Sequence, residues 1–315
     1  NAGGMRAIKY GVTRDWVRGL EVVLPTGEIE NFGKKVVKNS TGYALKDLII
    51  GSEGTLGIIT KATLKLMPKP KSSVSLLMTF NSKEAAIKAA SKLIMDHVVP
   101  TALEYLEAEA IKHSESFLGK KIPHNTYPAY LLVSYDGNSE QSISRDVKIA
   151  SELCINHYDA VDAYLIDTAE RHSSVWSIRG GFLEAIKAST PLMDECDVVL
   201  PRSEIKTFLD FTKTISETHQ LRIPYFGHVG DGNLHLYLCK DDYSDETWEF
   251  KKHKVFDALY EKANTLGGLV SGEHGIGIAK KPYMEKYLGD IQMRIMRDIK
   301  RAFDPNNILN PQKVV

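Results

Sequence analysis

Between Val74 and Leu238 the chain repeats one pattern, a short run rich in Val, Leu and Tyr followed by a polar stretch of helical length. VSLLMTF (74–80) reads as a strand and SKEAAIKAASKLIMDH (82–97) as an amphipathic helix. LEYLEAEAIKHSESF (103–117) reads as helical in its middle. YPAYLLVSYDG (127–137) is a strand, SEQSISRDVKIASELC (139–154) a helix opened by Ser and Glu, and AVDAYLIDT (160–168) another strand. Helix then runs on through Trp176 to Ile186. CDVVLP (196–201) is a strand, a helix follows to about residue 219, and IPYFGHV and NLHLYL form a hairpin. This alternation predicts an α+β domain whose helices cover one face of an antiparallel sheet.

The flanks have a different texture. Residues 17–37 read as strand, turn, strand, with Pro25 and Gly27 at turn positions. ALKDLII is a short helix, GSEGTLG a glycine-rich loop, and IITKATLKLMP a strand ended by Pro68. PKPKSS (68–73) marks a domain boundary. After the hairpin come a helix over 247–266, the loop SGEHGIG, a helix over 290–303, and FDPNNILNP. The chain therefore divides into 1–68, 69–270 and 271–315.

Forty Lys and Arg balance forty Asp and Glu, so no strong field draws in nucleic acid. No apolar run reaches the ~18 residues that span a bilayer. Three separated cysteines, Cys154, Cys196 and Cys239, make no disulfide framework and fit a cytoplasmic protein, with peripheral membrane association as an option. The first residues, NAGGMRAIKY, read as mid-loop, so the chain is expected to be part of a longer one.

GHVGDGNLH (227–235) holds two of the ten histidines. Asp231-Gly232 signals a two-residue hairpin, because a type I′ turn takes positive φ at both central positions. A turn there sets His228 directly opposite His235, with Cβ atoms ~5 Å apart. Two such imidazoles are a pincer for a divalent metal such as zinc, or else a surface cross-strand pair. In SGEHGIG, Glu273 would complete a His₂–carboxylate set with positions left open for substrate, or else the loop is simply solvated.

At this point the residues carry a resemblance. KNSTGYALKDLIIGSEGTLGIITKATLKLMPKP is similar to the end of the flavin domain in FAD-linked oxidases of the vanillyl-alcohol oxidase type. NAGGMRAIKYGVTRDWVRGLEVVLPTGEI resembles the segment before it. GHVGDGNLH, SGEHGIG and FDPNNILNP resemble the D-lactate, glycolate and D-2-hydroxyglutarate dehydrogenase branch.

The resemblance implies that residues 1–68 are the second half of an FAD-binding α+β domain whose first half lies upstream. Residues 69–270 would be a cap domain on an antiparallel sheet, and 271–315 would return to the flavin. It implies oxidation of a D-2-hydroxy acid to the 2-oxo acid, with FAD reduced and a zinc- or manganese-like divalent metal assisting. His228, His235 and Glu273 match the family's metal ligands, His274 its base, and Arg179 an arginine that grips the substrate carboxylate. Asn1, Gly3, Gly4, Thr41, Gly42, Gly51, Ser52, Glu53, Gly54, Gly57, Ile58 and Asn310 fall where the family contacts FAD.

Two departures stand out. The family's pyrophosphate loop is not among these residues. Glu195 also stands about where dicarboxylate-oxidising relatives carry a lysine, which favours glycolate, lactate or a longer monocarboxylate. A homodimer or a partner subunit is expected, and the electron acceptor is not legible. The competing readings are a flavin-free metal-dependent hydrolase or lyase, and a non-catalytic, flavin-free subunit of an oxidase complex.

Overall fold

In the computed structural model, which describes residues 1–315, ten strands and twelve α-helices follow one another along the chain. The strands are β1 (Val17–Val23), β2 (Ile29–Gly33), β3 (Ile58–Leu64), β4 (Ser72–Phe80), β5 (Ala102–Glu107), β6 (Ala129–Gly137), β7 (Ala160–Ile166), β8 (Met193–Val199), β9 (Tyr225–His228) and β10 (Asn233–Cys239). The helices are α1 (Ala7–Tyr10), α2 (Thr13–Trp16), α3 (Leu45–Ile49), α4 (Lys83–Met95), α5 (Ala108–Leu118), α6 (Glu140–His157), α7 (Ala169–Gly180), α8 (Phe182–Ala188), α9 (Ile205–His219), α10 (Asp245–Thr265), α11 (Lys281–Leu288) and α12 (Asp290–Phe303). They fall into two units. One holds residues 1–4, 11–68 and 270–315, and the other holds 5–10 and 69–269.

The larger unit is a seven-stranded sheet in the order β7-β4-β6-β5-β9-β10-β8, every neighbouring pair antiparallel. Alternate residues of a strand point to opposite faces, so the register defines two surfaces. On one, Leu77, Leu132, Leu106, Phe226 and Tyr237 pack under α5, α7 and α8 through Ile111, Val175, Ile178, Phe182 and Ile186. The other face, which carries Leu234, Leu236 and Leu238, is covered by α4, α6, α9 and α10. Helices thus lie on both faces, not on one. That is why all seven residues of β10 are buried, without the in–out alternation of a half-exposed strand. The sheet also keeps Cys154, Cys196 and Cys239 buried, and burial pushes the thiols of Cys154 and Cys239 up to about 12.

Four helices of this unit begin at a hydroxyl cap. Ser82, Ser139, Thr168 and Ser244 each accept an N–H of the first turn. The stretch 103–117 is helical in its middle, as expected, in α5, but its first residues form a strand, β5, that the sequence reading did not predict. Leu, Glu and Ala favour helix locally, but pairing of Ala102–Glu107 with β6 overrides that weak preference. The helix expected through Ile186 is two helices that meet at Gly180-Gly181. A Cβ on Gly181 would lie 2.7 Å from Ser114 Oγ of α5, so glycine permits this close helix approach. The short segment 5–10 is tied to the sheet by Lys9 and Tyr10, both on the Asp136 carboxylate, at 2.6 and 2.7 Å.

The smaller unit is built on the antiparallel sheet β2-β1-β3. Val17, Leu20, Val22, Ile49, Ile50 and Leu56 form its core, with Ile299 and Phe303 of α12 packed against them. The buried ammonium of Lys300 donates to Thr55 O at 2.9 Å and Leu309 O at 2.8 Å, and pairs with Asp304. Asp304 in turn accepts from the N–H groups of Ile308 and Leu309. The closing FDPNNIL segment is therefore pinned to the glycine-rich loop after α3.

Candidate active site

The β9–β10 hairpin differs in register from the sequence reading. His228 faces Asn233, and His235 faces Phe226. The loop has four residues, 229–232, and His228 O accepts from Asp231 N–H and Gly232 N–H, each at 3.1 Å. A type I′ turn needs two positive φ angles, and of the pair only Gly232 has one, 90°. The pairing has slipped by two residues. A slip of two leaves every side chain on its own face. The two histidines therefore remain together as diagonal neighbours, with ring centroids 5.6 Å apart and planes at 86°. Each offers a ring nitrogen within 4.8 Å of the other. They are 8% and 3% exposed, so this is not a surface pair.

Each imidazole has a carboxylate on its Nδ1. For His228 this is Glu104 Oε1 at 2.6 Å. For His235 it is Glu195 Oε1 at 3.2 Å, with Asp197 Oδ1 at 3.8 Å. For His228 the carboxylate holds the proton on Nδ1 and leaves the Nε2 lone pair for a ligand, the arrangement that orients metal-binding histidines, whereas the carboxylates near His235 Nδ1 are ion-pair contacts only. Asp197 is fully buried and accepts from Asn233 Nδ2 at 2.7 Å. Two buried imidazoles turned to one face form a donor pair that fits a zinc- or manganese-like ion.

Glu104 is the centre of this network. Its other oxygen, Oε2, accepts from Arg179 Nε at 2.8 Å and pairs with Nη2 at 2.6 Å. Burial alone would raise the pKa of this fully buried carboxyl. The guanidinium of Arg179, and then His228, outweigh it and hold it below the ordinary carboxylate value. Arg179 itself is 7% exposed and stacks over Phe226, 4.5 Å from the ring centroid. Its Nε edge is taken by Glu104. A guanidinium has five N–H donors, so the Nη1/Nη2 edge still has donors for a second carboxylate. Glu195 lies against His235 and Tyr237. Burial and then Glu195 push the Tyr237 hydroxyl well above its usual value.

Glu273 and His274 belong to the other unit, in the loop between Val270 and α11. Their side chains lie 3.9 Å apart, with Glu273 14% and His274 43% exposed. Of the residues expected at FAD, Asn1 lies beside Gly51, where a Cβ would come 3.5 Å from Asn1 Cβ. Asn310 Nδ2 donates to Glu53 O at 2.6 Å and sits against Gly54. Ser52 and Gly57 are buried, whereas Gly3 and Ile58 are exposed and Gly4 is half-buried. Thr41 and Gly42 line a cleft of about 610 Å³ with Arg14, Arg18, Lys34 and Lys46 among its walls. Asp15 and Asp47 also line it, and Asp47 pairs with Lys46, so the walls carry an excess of basic over acidic side chains, which is compatible with an anionic cofactor.

Sequence reasoning missed Glu104, Asp197 and Asn233. The available signal was a carboxylate in the middle of ALEYLE, an interior position once the segment is taken as strand. A buried acid there requires a cationic or hydrogen-bonding partner.

The C-terminal domain of the FAD linked oxidases matches residues 69–314, and the chain belongs to that family. Its architecture is that domain's α+β arrangement, antiparallel sheet with surrounding helices. Within the family it sits in the branch of the D-lactate, glycolate and D-2-hydroxyglutarate dehydrogenases.

A D-lactate dehydrogenase of Anaerostipes hadrus is 49% identical over 100% of this chain and 67% of its own length. The glycolate oxidase subunit GlcD of Bacillus subtilis is 38% identical over 100% of this chain and 66% of its own. The chain thus spans about two thirds of the length of these curated relatives. The solved structure of p-cresol methylhydroxylase with substrate bound matches 97% of this chain and 66% of its own, with a TM-score of 0.76 at 15% identity, a likeness of fold.

Proposed function

We propose that the natural protein is an FAD-dependent dehydrogenase that oxidises a D-2-hydroxy acid of the glycolate or D-lactate type, assisted by a divalent metal. The observation that carries this reading is the buried histidine pair, with Glu104 hydrogen-bonded to His228 Nδ1 and Glu195 in ion-pair range of His235, found in a chain of this family. When bound, the flavin accepts the α-hydrogen as hydride and the metal lowers the pKa of the substrate hydroxyl.

His228 and His235 would each offer a ring nitrogen to the metal, and Glu273 would supply the third ligand. Glu104 holds the His228 ring in place, and Glu195 lies in ion-pair range of His235. Arg179, fixed by Glu104, orients the substrate carboxylate through its second edge. His274 takes the hydroxyl proton on a ring nitrogen as the α-hydrogen leaves, which gives the 2-oxo acid. Thr41 and Gly42 in the cleft, and the Gly51–Ile58 loop with Asn310, would contact the flavin. Glu195 and Asp197 both lie on the histidine face, so a second substrate carboxylate would meet like charge there. A monocarboxylate is therefore preferred.

Anaerobic mixing of the full-length holoenzyme with glycolate, D-lactate and D-2-hydroxyglutarate tests the reading. Flavin bleaching should be fast with one of the first two and slow with the third. No bleaching by any 2-hydroxy acid would remove the proposal. Elemental analysis should find about one divalent ion in wild type and much less in His235→Ala. An unchanged metal content would refute the ligand assignment.

A further inference from the structure

The Glu53 side chain has an unusual role. Its Oε1 accepts the N–H of Ile276 and its Oε2 the N–H of Gly277, each at 2.7 Å. The receiving loop is the one that carries Glu273 and His274. Gly275, at φ 85°, lies so close that a Cβ there would be 2.7 Å from Glu53 Oε1. The grip is set from behind as well. Glu53 adopts φ 52°, a left-handed conformation uncommon for a residue with a Cβ, and Asn310 holds its carbonyl at 2.6 Å. Across the loop, Ser271 Oγ accepts the N–H of Gly275 at 2.9 Å, and Val314 N–H donates to Gly277 O at 3.0 Å.

A loop with glycines at 272, 275 and 277 has little conformational preference of its own, so it needs such external anchors. A carboxylate that accepts two successive N–H groups fixes both the position and the tilt of that backbone. Strain in a sparsely populated φ region persists only where the surroundings over-determine it. Here those surroundings are Asn310 on one side and the 276–277 amides on the other.

We infer that Glu53 is a positioning residue. Rather than touching flavin with its side chain, it clamps the 275–277 backbone and so sets where Glu273 and His274 point. Glu53 also belongs to the glycine-rich loop Gly51–Gly57, so the loop expected beside the flavin and the loop bearing the base are locked in one register. This inference rests on the proposed roles of Glu273 and His274.

The test uses the full-length holoenzyme and its Glu53→Gln variant. Gln keeps the size but replaces one acceptor oxygen by an NH₂ that cannot accept, so one of the two amides loses its partner. Flavin content should stay at wild-type stoichiometry. Flavin reduction should slow by about 10²-fold, the usual consequence of a misplaced catalytic group, with little change in KM. Metal affinity should fall about 10–100-fold, as for other outer-shell contacts. Amide exchange at 276–277, read by mass spectrometry, should quicken in the variant.

Gly275→Ala pushes on the same contact from the loop side. If both act through one clamp, the double variant should be no slower than the slower single. Normal rate, metal affinity and amide exchange in Glu53→Gln would overturn the inference, as would loss of flavin with an unchanged loop. If Glu53→Gln fails to fold, Gly275→Ala alone decides, through the same rate and exchange measurements. His274→Asn run alongside separates the two ideas. If it is slow while Glu53→Gln is normal, only the clamp fails, and if it is fast, the underlying reading fails.

Discussion

His274→Asn is expected to slow flavin reduction by ~10²–10⁴-fold, the range for loss of a general base. Asn keeps a similar shape and a polar tip but has no basic nitrogen near neutrality. The imidazole is 43% exposed and takes no part in either hydrophobic core, so folding should be undisturbed. Stopped-flow absorbance of the flavin, with saturating substrate and no acceptor, isolates the step. Melting temperature and flavin content should match wild type. A rate within a few-fold of wild type would show that another group takes the proton.

Glu104→Ala should be the most damaging single change in the sheet unit. It removes the only carboxylate bonded to the buried Arg179 and takes the orienting partner from His228. Breaking one side of a buried ion pair costs about 3–5 kcal/mol, because the other charge stays behind uncompensated. Thermal or urea unfolding would show it, and metal affinity should fall by about 10–100-fold in whatever remains folded. Glu104→Gln separates charge from shape. The carboxyl is held below its ordinary value in the folded protein. Its stabilisation is therefore complete above the unfolded value of about 4.3 and is lost as pH falls through the lower folded value. The Gln variant should lack that part of the acid limb. An acid limb identical to wild type would mean that Glu104 is not ionised in the network.

Much of this fold could be read from residue patterns, and the failures have definite causes. VSLLMTF lies in a strand, YPAYLLVSYDG and CDVVLP do so for most of their length, and the long polar periodic segments are helices, because each is locally consistent with its final state. LEYLE was hidden because its residues favour helix and only the neighbouring β6 makes it a strand. The hairpin register was misjudged because Asp231-Gly232 has the composition of a tight turn, while Val229 and Gly230 are drawn into packing against the sheet unit. The histidine pair survived that error, since the true register differs by an even number of residues. Its carboxylates could not have been found by spacing. Glu195 reaches His235 from a strand some forty positions earlier, and Glu104 reaches His228 from over a hundred. Cross-strand register creates those contacts, and no local pattern encodes it.

The three thiols sealed into the larger unit make it self-reporting. Cys154 lies on α6, Cys196 on the edge strand β8 and Cys239 at the end of β10, so they sample both helical and strand layers. Thiolate is the reactive form, and burial suppresses it. Alkylation of the native protein must therefore wait for an opening event, and the order in which the three are labelled would map how the sheet comes apart. Cys239, on the same face of β10 as His235 and Tyr237, would register loosening of the histidine face, and Cys196, which pairs with Leu236, would report on the opposite face.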